Sequence, residues 1–188
     1  MKLKVHSFIE SSLGNGPGRR CVLWLQGCSL NCPGCFNTDT HDFAGGEHIA
    51  VADVLSQIEA AHERYEIEGV TVSGGEPLQQ PEEIACLLEL LREKTDLSVV
   101  LFTGFTYQEL STMPVFERLT RCVDVLICGR YVESMRVAAG LTGSANKSFH
   151  YFSERYRQSD FDDVAVGEVI IDEKGRLVLT GIDPLRLR

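Results

Sequence analysis

The sequence predicts an α/β fold: a partial (β/α) barrel or an open parallel sheet, with a β-hairpin at the C-terminal end. Three observations predict it. Short apolar runs alternate with segments of helical period as far as residue 128. That order, strand then helix repeated, implies parallel strands joined by crossover helices. The runs also read as apolar on both faces, as strands do when helices cover them. Four such strands are too few for a closed eight-stranded barrel.

Residues 21–26 (CVLWLQ) form the first continuous apolar run. Val51, Val54, Leu55 and Ile58 recur at i, i+3, i+4 and i+7 and make 51–64 an amphipathic helix. GVTVS at 69–73 is the second strand. Pro81 opens the next helix, with Glu82 and Glu83 in its first turn and a stripe of Ile84, Leu87, Leu88 and Leu91. LSVVLF at 97–102 and VDVLIC at 123–128 are the third and fourth strands, separated by a helical stretch around 106–119 that Pro114 interrupts. Residues 140–163 read as polar and irregular, with the charges of 153–163 as a solvated connector. Residues 168–180 read as a hairpin turning at Glu173–Gly175. Residues 1–150 are thus expected to form the core, with 151–188 as connector and hairpin of the same domain.

Composition narrows the function classes. The 188 residues are 44% hydrophobic and 24% charged, ordinary for a globular chain, and the net charge is −9. An acidic chain lacks the basic footprint of a nucleic-acid binder. No apolar run reaches the ~18 residues of a membrane span. The N-terminal segment lacks the apolar stretch of a secretory leader, so a cytoplasmic location is expected. Seven cysteines in a reducing compartment point to metal or redox chemistry rather than disulfides. Cys21, Cys86, Cys122 and Cys128 are scattered among apolar neighbours and read as small core residues.

Ligands of such folds bind at the C-terminal ends of the strands. Three unusual segments fall there: GCSLNCPGCFN after the first strand, Ser73-Gly74-Gly75-Glu76-Pro77 after the second, and Thr103-Gly104-Phe105 after the third. The cysteines are spaced C-x3-C-x2-C. Three thiolates on one loop suit three irons of a cubic cluster, leaving the fourth iron open. Zinc held by these three and Cys21 is a rival, but structural zinc sites pair two knuckles and Cys21 opens an apolar strand. A simple electron carrier is a second rival, and it normally brings a fourth nearby cysteine.

The cysteine motif, the following aromatic and SGGEPL resemble the radical S-adenosylmethionine superfamily. Taken in order, NGPGRRC (15–21), GCSLNCPGCFN (27–37), SGGEPL (73–78), TGF (103–105) and GSANK (143–147) resemble the glycyl-radical activases of anaerobic ribonucleotide reductase. The likeness spans residues 5–150. It implies that Cys28, Cys32 and Cys35 ligate a [4Fe-4S] cluster whose open iron chelates S-adenosylmethionine. It implies that Gly34, Cys35 and Phe36 lie against that cofactor, Phe36 near the adenine, with Asn37 hydrogen bonding nearby. Gly74, Gly75 and Glu76 would receive the methionine amino group, and Thr103 would border the pocket. Reductive cleavage would yield a 5′-deoxyadenosyl radical that abstracts hydrogen from a glycine of the reductase, with a flavodoxin-like protein supplying the electron. No side-chain general base is required. The alternative target is another small molecule, peptide or macromolecule.

Two departures mark this chain. Related activators usually carry Asp-Gly where it has Cys128-Gly129, and Asn-Gln where it has Asn146-Lys147. GNGPG at 14–18 lacks the Lys-Ser/Thr ending of a phosphate loop and reads as a flexible turn that places Arg19 and Arg20; the resemblance adds a partner-docking or lid role, with Arg19 or Arg20 as the residue to test. His41 and His48 read as surface residues, and Trp24 as core.

Overall fold

A computed structural model describes residues 1–171 and 175–182. In chain order the strands and helices are β1 (Lys2–Ser12), β2 (Arg20–Leu25), β3 (Glu47–Ala50), α1 (Val51–Tyr65), β4 (Gly69–Gly74), α2 (Pro81–Lys94), β5 (Ser98–Thr103), α3 (Tyr107–Ser111), α4 (Phe116–Cys122), β6 (Val125–Cys128), β7 (Ser148–Tyr151), α5 (Ser159–Asp162), β8 (Glu168–Ile171) and β9 (Leu177–Thr180). The main sheet is open and seven-stranded, in the order β3-β1-β2-β4-β5-β6-β7. Its centre, β2-β4-β5-β6, is parallel, as the strand–helix alternation requires.

Three antiparallel strands extend that centre beyond the expected set. β1 pairs with both β2 and β3, and β7 lies against β6. β1 carries register irregularities between Val5 and Ser7 and between Ile9 and Ser12, which break the alternation that would mark a strand. β3 and β7 are four-residue edge strands without a fully buried position. The pairing of β8 with β9 agrees with the expected hairpin. Residues 173 and 174 of its turn lie outside the described residues.

The helices do not cover both faces. Cys21, Leu23 and Leu25 of β2, Val70 and Val72 of β4, and Val99 and Leu101 of β5 share one core with α1, α2 and α4. Right-handed crossovers place successive helices on the same side of a parallel sheet. The alternate residues face the other way. There Val100, Val125 and Ile127 meet Leu141 and Phe161 in a smaller cluster, and toward β2 the face opens into a cleft bearing Trp24, Thr71 and Ser73. The strands are therefore apolar on both faces at β2, β5 and β6, where Val22 is buried on the second face of β2, while β4 turns Thr71 and Ser73 that way.

Several details correct the sequence reading. Trp24 is half-buried and borders the cleft rather than the core. Arg20 is fully buried, so it is not presented for docking. Its Nε donates to Thr71 Oγ1 at 2.9 Å, and its other nitrogens reach Ser98 Oγ, Tyr156 Oη and the carbonyls of Val70 and Ser98 at 2.9–3.1 Å. The planar guanidinium satisfies its donors here without a carboxylate partner. The stretch 153–163 is more than a solvated connector: Phe161 is fully buried, and Ser153 Oγ donates to Asp124 Oδ1 at 2.6 Å.

Candidate functional site

The C-terminal ends of β2, β4 and β5 open into one cleft of about 940 Å3, counting the solvent space at its mouth. Cys28, Cys32 and Cys35 all line it, and so do Phe36 and Asn37. From the neighbouring strands come Gly74, Gly75, Glu76 and Thr103. Gly34 does not line it: with φ of 70° it turns the loop, and its open side faces the Glu133 carboxylate.

Backbone hydrogen bonds hold the cysteine loop in place. Gly27 N–H donates to Thr40 O at 2.8 Å, Cys28 N–H to His41 O at 3.1 Å, and Cys35 N–H to Cys32 O at 3.1 Å. The buried Gln26 braces the returning chain through its Nε2, which donates to Asp42 O at 2.8 Å. Burial pushes the Cys28 and Cys35 thiols up. Backbone N–H groups of Leu30 and Asn31 on Cys28, and of Asn37 on Cys35, pull the other way. Metal coordination reverses the burial effect by deprotonating a bound thiol outright.

Gly74 and Gly75 are dictated by close approach. A Cβ on Gly74 would stand 2.2 Å from Leu25 N, and one on Gly75 would stand 2.5 Å from Gly27 O. Only glycine lets β4 end this tightly against the start of the cysteine loop. Glu76 follows, fully buried. Its Oε1 accepts from Leu78 N–H at 2.9 Å and Thr103 Oγ1–H at 2.8 Å; its Oε2 accepts from Gly104 N–H at 2.6 Å. Glu76 therefore caps the turn at Pro77 and also ties the end of β4 to the end of β5. Burial raises its pKa, against these three hydrogen bonds and the nearby Lys147 charge. Thr103 reaches the cleft as a link in this network, since its hydroxyl is engaged with Glu76 and accepts from Phe105 N–H at 3.1 Å.

Sequence reasoning missed part of the wall. Phe36 meets Tyr131 edge to face at 5.5 Å between centroids, and Tyr131 itself lines the cleft. Tyr131 lies three residues past β6, where the strand-end rule would have found it. Trp24 alternates with the core residues Leu23 and Leu25, a period-two signal that puts it on the opposite face. His41, read as a surface residue, is half-buried and lines the cleft; His48 is exposed on β3. Lys147 also lines the cleft, and its Nζ donates to Gly129 O. Cys128 is buried in β6 with its thiol pushed up to about 12, so it offers no reactive rim thiol. Gly181 and Ile182, just past β9, complete the wall.

The donor chemistry fits an iron–sulfur cluster. Three thiols share one concave wall at the strand ends, the donor set that a cluster with thiolate ligands requires. Cys21, the fourth ligand of the zinc alternative, is fully buried in the helix-side core, across the sheet from this wall.

Comparison with known proteins agrees. Residues 14–150 match the family model described as a 4Fe-4S single cluster domain. The anaerobic ribonucleoside-triphosphate reductase-activating protein of Vibrio cholerae serotype O1 is 32% identical over 159 residues, which cover 80% of this chain and 99% of that protein. The protein of the same description from Escherichia coli strain K12 is 27% identical over 157 residues, 79% of this chain and 99% of its own. The pyruvate formate-lyase-activating enzyme of Clostridium pasteurianum is 35% identical over 152 residues, 79% of this chain and 61% of that enzyme. The thiol-lined cleft and these extensive likenesses converge: the chain belongs to the 4Fe-4S single-cluster family, among the radical S-adenosylmethionine activating enzymes.

Proposed function

We propose that this enzyme installs a glycyl radical on an anaerobic ribonucleotide reductase. The observation that carries the reading is the convergence of Cys28, Cys32, Cys35, Glu76 and the Phe36–Tyr131 pair on one cleft. Cys28, Cys32 and Cys35 would hold a [4Fe-4S] cluster, which when bound would supply the one-electron chemistry for reductive cleavage of S-adenosylmethionine.

The chain's own residues bind and orient. Phe36, 40% exposed and edge-on to Tyr131, presents an aromatic corner for the adenine. Gly74 and Gly75 let the methionine end approach the backbone, and Asn37 completes the loop beside Cys35. Glu76 fixes the rim, and its Oε2 keeps acceptor capacity for an ammonium beyond the Gly104 bond. The cleft's apolar walls limit side reactions with water. The electron comes from a low-potential donor of flavodoxin type, and the protein works in the cytoplasm. Residues 1–150 serve as the catalytic core, and the C-terminal segment shapes its mouth.

A second reading keeps the chemistry and changes the target. It is favoured by the Gly181–Ile182 wall, which lies beyond the matched region and narrows the cleft. The test is to incubate the reduced, cluster-loaded protein with S-adenosylmethionine and a candidate reductase, and to record the electron paramagnetic resonance (EPR) spectrum. A glycyl-radical doublet on the reductase is expected. Formation of 5′-deoxyadenosine without that doublet would move the assignment to the second reading.

A further inference from the structure

Among the described residues lining the cleft, Lys147 is the one lysine or arginine, and the ligand assignments above give it no task. The next residue, Ser148, opens β7 and pairs with Cys128 of β6, so the sheet register sets where Lys147 stands. One of its three N–H donors is taken by Gly129 O, which leaves two. The charges of Cys32, Glu76, Cys128 and Cys35 all act on it.

Partial burial of a cation costs free energy unless negative charge matches it, and Lys147 is half-buried. The bare chain matches it poorly. Glu76 is the carboxylate within its reach, and three hydrogen bonds to the β4 and β5 ends already engage it. Cys128 is a buried, neutral thiol on the strand. The remaining partners, Cys32 and Cys35, are deprotonated once metal-bound, and three thiolates outweigh the positive core they would hold, leaving the loaded site net negative. The ammonium is thus matched by the loaded site rather than by the empty chain. Arg136 and Arg130 also stand near the rim and neither lines the cleft: Arg136 lies over the outer Phe36 ring, 6.0 Å from its centroid, and Arg130 donates to Gly104 O at 2.8 Å and is paired with Glu109.

We propose that Lys147 is a redox-tuning cation: its fixed charge beside Cys32 and Cys35 raises the reduction potential of the cluster those residues hold. This rests on the cluster assignment given above. Local net charge and hydrogen bonds to sulfur are two of the levers that set such potentials. Reduction adds one electron and one negative charge to the site. A neighbouring ammonium stabilises that product, so a less strongly reducing donor suffices. The step makes and breaks no bond: a one-electron reductant loses the electron and the cluster gains it. Lys147 acts through the cluster and is a positioning residue for charge, not a catalytic one.

The test is a redox titration by EPR, with dithionite as reductant and no S-adenosylmethionine. Wild type, K147Q, K147M and K147R are reconstituted without oxygen, with K94Q as a control at an exposed helix end. Iron and sulfide are counted in each. At a fixed potential near the wild-type midpoint, K147Q and K147M should show a reduced-to-oxidised ratio about tenfold lower, a negative shift of about 59 mV for one electron. K147R and K94Q should titrate with wild type. Fully loaded K147Q and K147M that titrate with wild type would overturn the proposal. So would a K147R shifted as far as K147Q, which would trace the effect to packing rather than charge. A folded wild type that takes up no cluster would overturn the ligand assignment and this inference with it.

Discussion

At the scale of single residues, Glu76 and Arg20 show the two uses this chain makes of buried charge. Arg20 is satisfied entirely by neutral acceptors and holds the 14–18 loop to the sheet. Glu76 is satisfied by three donors but still has its pKa raised by burial. The sign of its pH dependence follows. Above the normal carboxylate range the folded chain binds more proton at Glu76 than the unfolded chain does, so stability falls as pH rises through the folded-state pKa. Lowering the pH from 7 to 5 should therefore stabilise the metal-free wild type relative to E76Q, read as a growing value of the wild-type urea midpoint minus that of E76Q. A difference that stays constant or shrinks would contradict this. That the three cysteines would share one cleft was legible because their close spacing keeps them on one loop at a strand end. Lys147 was legible only as a departure from the related pattern, since nothing in the sequence says that it is half-buried among thiols.

At the scale of elements, the parallel centre was readable and the edges were not. Buried strands between crossover helices leave continuous apolar runs, as in β4 and β5. β1 hides behind its irregular register, and β3 and β7 carry polar residues suited to sheet edges. The solvated reading of 153–163 holds for most of its charges, which are exposed, and fails at Tyr156 and Phe161, which pack inward, and at Ser153, which reaches a buried carboxylate. Asp124 is the hub. Its side chain, 2% exposed, pairs with Arg92 of α2, accepts from Val99 N–H at 2.7 Å, and receives Ser153. D124A would leave Arg92 and the Val99 N–H without their partner. The expected loss is about 3 kcal/mol of unfolding free energy, measured by chemical denaturation of the metal-free chain. A loss under ~1 kcal/mol, as for an exposed pair, would show that the hub is not needed.

At the scale of the whole molecule, one-sided helices decide where function can sit. The helix face of the sheet is filled, so the opposite face alone can hold a cofactor, and the parallel strands deliver three loops to the same end of it. The small cluster around Phe161 closes the β5–β6 side of that face, and the cleft occupies the rest. Strand-end logic foresaw that the cysteine, Gly-Gly-Glu and Thr-Gly segments would meet. It could not foresee the wall built by Gly181 and Ile182, because hairpin placement depends on tertiary anchors: Glu168 on Ser12 Oγ at 2.6 Å, and Asn15 on Thr180 Oγ1 at 2.9 Å. The central claim is that the cleft binds a cluster on Cys28, Cys32 and Cys35 and uses it to cleave S-adenosylmethionine. It is tested most directly by reconstituting wild type and Cys32→Ala without oxygen, adding S-adenosylmethionine and a strong reductant, and quantifying 5′-deoxyadenosine. The account predicts product from wild type and none above background from C32A. Equal product from both, or none from a wild type holding its full complement of iron and sulfide, would contradict it.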